Sequence, residues 1–137
     1  MTQPIRFGIL GAANFALKHM APAIQRARGA ELVALGTSSE AKAVPFQEFS
    51  PNIAVYTDYQ ALLDAPDIDA VYIPLPNNLH VEWSKKALRA GKHVLCEKPL
   101  AANYADAAEM AAAAKAAGVV NMVNLSYRDG PAMIQAA

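Results

Sequence analysis

The feature that most constrains the fold is a regular alternation of short apolar runs with stretches of helical spacing. Six such runs occupy residues 5–10, 31–36, 54–57, 70–73, 93–96 and 119–125. The runs show little polar alternation, which is typical of strands buried on both faces of a parallel sheet. Helices between such strands cover both faces, and right-handed crossovers leave few arrangements. We therefore predict an α/β fold, a doubly wound Rossmann sheet with strand order 3-2-1-4-5-6.

Capping residues and prolines predict where the helices begin and end. Asp58 and Asn103 have side chains suited to N-capping, and glycines at positions 91 and 118 suit helix ends. Pro22 should break or restart the first helix. Residues 41–49 predict only a broken helical segment. We expect Trp83 and the alanines of residues 101–117 to lie in the core.

Composition indicates one ordinary globular domain and excludes several classes of protein. The chain has 137 residues, of which 54% are apolar, and twelve basic residues balance twelve acidic ones. A balanced charge provides no general attraction for nucleic acid or an anionic membrane surface. No apolar run approaches the ~18 residues of a spanning helix. A single cysteine suits a cytoplasmic protein, and three scattered histidines predict no metal site.

Residues 8–16, GILGAANFA, place a glycine turn between the first strand and a helix. Gly11 permits a tight turn, but Ala13 occupies the place of the usual second glycine. Backbone N–H groups around Ala13 and the helix dipole still attract phosphate oxygens. We therefore predict that cofactor-binding residues begin here: Gly11, Ala12, Ala13, Asn14 and Phe15. A purely structural turn explains the same pattern, and this motif alone does not decide between the two.

The end of the second strand indicates which nucleotide is preferred. An acidic residue there usually holds the ribose hydroxyls of NAD, whereas this chain has Thr37, Ser38 and then Lys42. Hydroxyl groups and a cation suit a 2′-phosphate, so we predict NADP, with NAD as the alternative. The competing interpretation is a helix cap by Ser38 or Ser39 beside a solvated lysine.

Two further segments fall at the ends of predicted strands: PLPNNLH at residues 74–80 and CEKPL at residues 96–100. Together with the glycine turn and NLSYR at residues 124–128, they closely resemble the Gfo/Idh/MocA family of oxidoreductases. The resemblance extends over residues 5–131. The paired P-N-x-x-H and E-K-P segments are far more specific than the glycine turn.

The resemblance implies a catalytic role for Lys98, beside the nicotinamide and the reacting hydroxyl or carbonyl of the substrate. A lysine there can donate a proton or hydrogen bond to that oxygen. The resemblance places Glu97 near the nicotinamide ribose and implies a cis peptide bond between Lys98 and Pro99. The alternative for Lys98 is a lysine that merely closes a turn, and the alternative for Glu97 is a partner that orients this lysine.

The resemblance also implies that the cofactor passes over Pro74 and Leu75 and contacts Asn77. It places His80 close to the site, although a histidine hydrogen-bonded in place is the interpretation we favour. Tyr127 and Arg128 resemble the family segment that enters a second domain.

Family members usually continue into a second domain that supplies the substrate pocket and the oligomer interface. We therefore expect residues 1–137 to form the NAD(P)-binding domain, with that second domain absent from this chain. The implied function is hydride transfer between a nicotinamide cofactor and a sugar, polyol or diol. This chain alone should bind cofactor with little turnover, and the complete enzyme should be a homo-oligomer. The alternative is a non-catalytic module that senses redox state.

Overall fold

The structure is a computed structural model, and it describes residues 3–124. Within that range six parallel strands form one sheet in the order β3-β2-β1-β4-β5-β6, which confirms the predicted topology. The strands are β1 (Ile5–Leu10), β2 (Ala30–Gly36), β3 (Ala54–Tyr56), β4 (Ala70–Ile73), β5 (His93–Glu97) and β6 (Asn121–Asn124). β6 begins two residues later than predicted, because the Val119 N–H still bonds the α5 carbonyl of Ala114. Leu125, Tyr127 and Arg128 lie outside the described residues.

Helical segments connect each strand to the next. They are α1 (Ala21–Arg26), α2 (Glu40–Phe49), α3 (Tyr59–Asp64), α4 (His80–Arg89) and α5 (Tyr104–Ala117). A π-helical turn, Ala16–Met20, leads into α1, and a 3₁₀ turn, Asn77–Leu79, leads into α4. Pro22 lies in the first turn of α1, and the change from π-helical to α-helical hydrogen bonding falls just before it. The backbone nevertheless stays helical from residue 14 to residue 26, so Pro22 does not break the helix.

The prediction of a broken helix at residues 41–49 is wrong. α2 is continuous and contains Pro45. The Ser39 side chain caps it by accepting a hydrogen bond from the Lys42 N–H at 3.3 Å. Ala43 and Phe46 are buried beneath it. The cap and the buried face stabilise the helix enough to offset the hydrogen bond that proline cannot donate.

The other predicted caps are confirmed. The Asp58 carboxylate accepts from the Gln60 N–H at 3.1 Å, and the Asn103 side chain accepts from the Asp106 N–H at 2.9 Å. Gly118 ends α5 with φ +70°, a left-handed conformation that favours glycine. These caps are local, since each side-chain hydrogen bond joins residues two or three positions apart.

Two apolar clusters hold the helices against the sheet. On one face α3, α4 and α5 bury a cluster that includes Leu62, Leu88 and Met110. On the other face the π-helical turn, α1 and α2 bury a cluster that includes Ile9 and Phe46. These layers fix the ends of the strands, which is where the candidate site lies.

The alanines of α5 do not form a core stripe as predicted. Only Met110 and Ala114 of this helix are buried. α5 covers the last strand at one edge of the sheet and packs mainly on α4, so only a narrow stripe faces inward. Trp83 is half-buried, with its ring edge-on to Tyr59 and the Lys86 ammonium 4.3 Å from the ring centroid.

Candidate functional site

A cleft of about 330 Å³ opens at the carboxyl ends of β1, β2 and β4. Its walls include eight of the predicted cofactor-binding residues: Gly11, Ala12, Ala13, Thr37, Ser38, Lys42, Pro74 and Leu75. Because parallel strands end at the same edge, three loops that are distant in sequence meet in one depression. The arrangement is the one in which open α/β sheets hold a ligand.

Gly11 lies where two of these loops touch. Its φ is +107°, and a Cβ atom there would lie 2.9 Å from Cδ2 of Leu75. Its N–H donates to the Gly36 carbonyl at 2.9 Å, which ties the turn to the end of β2. A side chain at this position would therefore meet both backbone strain and a close contact.

One N–H group of the predicted phosphate-binding turn already has a hydrogen-bond partner within the turn. The Ala13 N–H donates to the Gly11 carbonyl at 3.0 Å, so the turn itself uses this donor. Asn14 and Phe15 follow, at the start of the helical segment, where the first N–H groups have no partner within the helix. Asn14 lines a neighbouring depression together with Lys42. The Ala13 N–H, which we expected to attract a phosphate, is therefore used within the turn.

The polar residues after β2 fall into two groups, one that stabilises the loop and one that is exposed in the cleft. The Thr37 side chain is buried, and its Oγ1 accepts from the Ser39 N–H at 3.2 Å. Ser39 caps α2, as the competing interpretation required of Ser38 or Ser39. Ser38 and Lys42 are exposed and line the cleft. A hydroxyl and an ammonium group thus face the same space.

His80 joins two loops from the interior. It is 1% exposed, with Nε2 2.6 Å from the Leu75 carbonyl oxygen and Nδ1 2.7 Å from the Pro99 carbonyl oxygen. Both ring nitrogens therefore contact backbone, as expected for a histidine hydrogen-bonded in place. The residue holds the loop after β4 against the loop after β5.

Glu97 and Lys98 follow β5 at the same edge of the sheet. The Lys98–Pro99 peptide bond is cis, as the sequence led us to expect. Glu97 is partly buried, whereas the Lys98 side chain is exposed. The Tyr72 hydroxyl on β4 and the Asn124 amide on β6 each donate to Glu97 Oε1 at 2.8 Å. Burial, followed by the bond to Glu97, raises the pKa of Tyr72, so its hydroxyl stays protonated.

The sequence did not identify every residue of the site. Tyr59, Pro76 and Leu79 also line the cleft, and Tyr72 and Asn124 bond Glu97. Tyr59 could have been found, because it follows the Asp58 cap just after β3. Tyr72 could not, since a tyrosine within an apolar strand predicts only burial.

Six of the predicted residues do not line the cleft: Asn14, Phe15, Asn77, His80, Glu97 and Lys98. Among them, Asn77 is exposed in the 3₁₀ turn, and Phe15 is 43% exposed with its ring 4.9 Å from that of His19.

A second depression, about 270 Å³, lies on the sheet face over β1, β4, β5 and β6. Most of its lining side chains are apolar, such as Phe7, Leu95 and Met122, and offer no donor to a charged nucleotide. The polar exception is His93, whose Nδ1 accepts from the Val120 N–H at 3.0 Å. Within residues 3–124 no group of three or more His, Cys, Asp or Glu side chains is placed to hold a metal ion. None of the described helices is long and apolar enough to cross a bilayer.

Comparison with known proteins places this geometry in a family. A sequence model described as "Oxidoreductase family, NAD-binding Rossmann fold" matches residues 5–125. A dTDP-3,4-didehydro-2,6-dideoxy-alpha-D-glucose 3-reductase from Saccharopolyspora spinosa is 46% identical over 115 residues, covering 84% of this chain and 34% of that protein. D-xylose 1-dehydrogenase (NADP(+)) 2 from Haloferax volcanii is 41% identical over 96% of this chain and 40% of its own length.

A solved structure agrees with the sequence matches. KijD10, a 3-ketoreductase from Actinomadura kijaniata crystallised with TDP-benzene and NADP, superposes with a TM-score of 0.91. It is 39% identical and covers 98% of this chain, whereas the match covers 42% of KijD10. The chain thus spans between a third and a half of the length of these relatives. The match over residues 5–125 shows that the chain belongs to the Gfo/Idh/MocA family of oxidoreductases and contains the NAD-binding Rossmann domain of that family.

Proposed function

We propose that this domain binds NADP(H) and serves an oxidoreductase that transfers hydride to or from a sugar, polyol or diol. The observation that carries the proposal is the convergence of the loops after β1, β2 and β4 on one cleft. The loop bearing Lys98 follows the adjacent strand β5 and is held to the β4 loop through His80. Nucleotide and reacting group would therefore meet at one edge of the sheet.

The preference for NADP rests on Ser38 and Lys42. Both are exposed on the cleft wall, where an ammonium group and a hydroxyl would attract a 2′-phosphate. A carboxylate in their place would favour the ribose hydroxyls of NAD instead. The NADP bound to KijD10 and the NADP(+) in the name of the xylose dehydrogenase support the same choice.

Lys98 is the residue we assign to chemistry. The nicotinamide would supply or accept a hydride at the substrate's carbonyl or hydroxyl carbon. The Lys98 ammonium would donate a proton or a hydrogen bond to the substrate oxygen, on which negative charge develops in reduction. Its exposure at the carboxyl edge leaves it accessible to a substrate, in contrast to a lysine that only closes a turn. The names of two relatives, a sugar 3-reductase and a xylose dehydrogenase, support a sugar as the substrate class.

Fluorescence titration with NADPH and NADH tests the cofactor proposal on the chain itself. NADPH should bind more tightly, and Lys42→Ala should reduce its advantage over NADH by about tenfold, the usual worth of one charge-assisted hydrogen bond. Lys115→Ala, which removes an exposed lysine near the end of α5, is the matched control. No binding of either nucleotide would refute the proposal, and tighter NADH binding would refute the preference.

We further propose a cytoplasmic location and, for the complete enzyme, a homo-oligomer. Cys96 is buried, and its burial raises the pKa of the thiol to about 11, so the group is suited to remain a reduced thiol. Light scattering of the complete enzyme would test the oligomer, and a monomer would refute it.

A further inference from the structure

Glu97 is held by residues from both neighbouring strands. The Tyr72 hydroxyl reaches its Oε1 from β4, and the Asn124 side-chain amide reaches the same oxygen from β6, both at 2.8 Å. Tyr72 is 0% exposed, whereas Glu97 and Asn124 are partly buried at the carboxyl ends of β5 and β6. The three side chains form a row across three strands, immediately before Lys98.

Both of these hydrogen bonds use Oε1 of Glu97, and Oε2 faces the loop that carries Lys98. With two donors on Oε1, rotation of the Glu97 carboxylate would break at least one hydrogen bond. Glu97 Oε2 accepts from the Lys98 backbone N–H at 3.3 Å, so the same carboxylate also orders the start of the loop that carries Lys98. A buried tyrosine hydroxyl needs an acceptor, and here the acceptor is a group of the candidate site.

The row also connects to the nucleotide side of the sheet. The Asn124 amide nitrogen lies 3.6 Å from Sδ of Met20, in the π-helical turn that follows the glycine turn. Asn124 thus touches both the helical segment after β1 and the acid before Lys98. Packing at the strand end does not require Asn124, which is partly exposed, to bond a carboxylate.

We propose that Tyr72 and Asn124 are positioning residues that orient Glu97, and through it the Lys98 loop, toward the nicotinamide half of the cofactor. The inference rests on the proposed function, because it assumes that the cleft binds NADP(H). It differs from that function in assigning roles to two residues outside the cleft wall. Neither residue would touch the reacting atoms.

The test compares the two halves of the cofactor. Tyr72→Phe and Asn124→Ala should each weaken NADPH binding by about tenfold, the effect of one lost hydrogen bond to a charged group. The fluorescence enhancement of the bound nicotinamide should fall as well. Adenosine 2′,5′-bisphosphate, which carries only the adenine half, should keep its affinity within about twofold. Tyr56→Phe, which removes the hydroxyl of a half-buried tyrosine on β3, is the control and should change neither affinity.

A purely structural role would give a different pattern, with both ligands losing affinity together as the fold loosens. A change confined to NADPH supports the proposal, and unchanged NADPH binding in both variants overturns it. If Tyr72→Phe does not fold, Asn124→Ala decides the question, since Asn124 is only partly buried.

A double-mutant comparison tests whether the effect passes through Glu97. In a Glu97→Ala background, adding Tyr72→Phe or Asn124→Ala should change NADPH affinity no further. Additive losses would overturn the proposal, because the two residues would then act independently of the carboxylate. Failure of the proposed function would be recognised separately, since wild-type protein would then bind no NADPH at all.

Discussion

At the scale of single residues, Gly11 and His80 show how the site depends on contacts between loops. Gly11 combines a positive φ with a close approach to Leu75. His80 bridges the carbonyls of Leu75 and Pro99. Both residues belong to motifs that the sequence identified, but Gly11 meets Leu75 and His80 meets Pro99, partners that lie in other motifs. The pattern therefore located these residues without revealing what they touch.

Gly11→Ala should lower the free energy of unfolding by about 2 kcal/mol or more, since strain and a close contact act together. It should also weaken NADPH binding, because the Leu75 side chain, which lines the cleft, must shift. Thermal unfolding and NADPH titration would measure the two effects. Gly29→Ala is the control: Gly29 has φ +81° with no atom within 4 Å of the added Cβ. It should show only a strain cost, about 1 kcal/mol, and unchanged binding. Equal behaviour of the two variants would contradict this account.

Lys98→Ala should reduce turnover by about 10²–10⁴-fold in an active enzyme that carries this domain, because a general acid is lost. NADPH affinity should change only slightly, since the proposed role of the ammonium group is on the substrate. Steady-state kinetics and NADPH titration would separate the two, with Lys115→Ala as the exposed-lysine control. Near-normal turnover would remove Lys98 from the chemistry.

At the scale of elements, strand pairing is supported at the edge opposite the site. Arg6 on β1 forms two side-chain hydrogen bonds, each 3.0 Å long, to the carboxylate of Asp69 just before β4. The Arg6 backbone N–H adds a third, at 2.9 Å. The guanidinium hydrogen bond lowers the pKa of Asp69 from its ordinary 3.8 to about 2. This pair joins the two central strands whose other ends form the cleft.

Asp69→Asn should therefore lower the melting temperature at pH 7, with an effect that solvent screening keeps small because both side chains are about one-third exposed. A lowered carboxylate pKa stabilises the folded state above the ordinary pKa, and the contribution is lost as pH falls through about 2. The difference between variant and wild type should thus shrink below pH 4 and become smallest below about pH 2. Melting curves across that range would check it, and a constant difference would contradict the assignment.

At the scale of the whole molecule, cofactor binding and folding should be linked. The cleft is built from three loops, so a nucleotide that contacts all of them binds the folded state alone. At a hundredfold excess over the dissociation constant, such a ligand adds about 2.7 kcal/mol to the stability.

NADPH should accordingly raise the melting temperature by about 10 °C at that excess, for a domain of this size. NADH at the same concentration should raise it less, because it has no 2′-phosphate for Ser38 and Lys42. Differential scanning fluorimetry would measure both shifts. Equal shifts would show that these two residues do not select the nucleotide.

The sequence by itself determined the strand order, most strand bounds and the helix caps. Those features depend on hydropathy periodicity and on short-range chemistry, such as the Asp58 and Asn103 caps. It also located the loops of the candidate site, since motifs at strand ends must share one edge of a parallel sheet. Only the tertiary structure decided that α2 continues through Pro45, that most of the α5 alanines stay exposed and that Tyr72 and Asn124 hold Glu97. Those outcomes depend on which surfaces meet across the fold, and a contact between residues 25 or more positions apart leaves no trace in local periodicity.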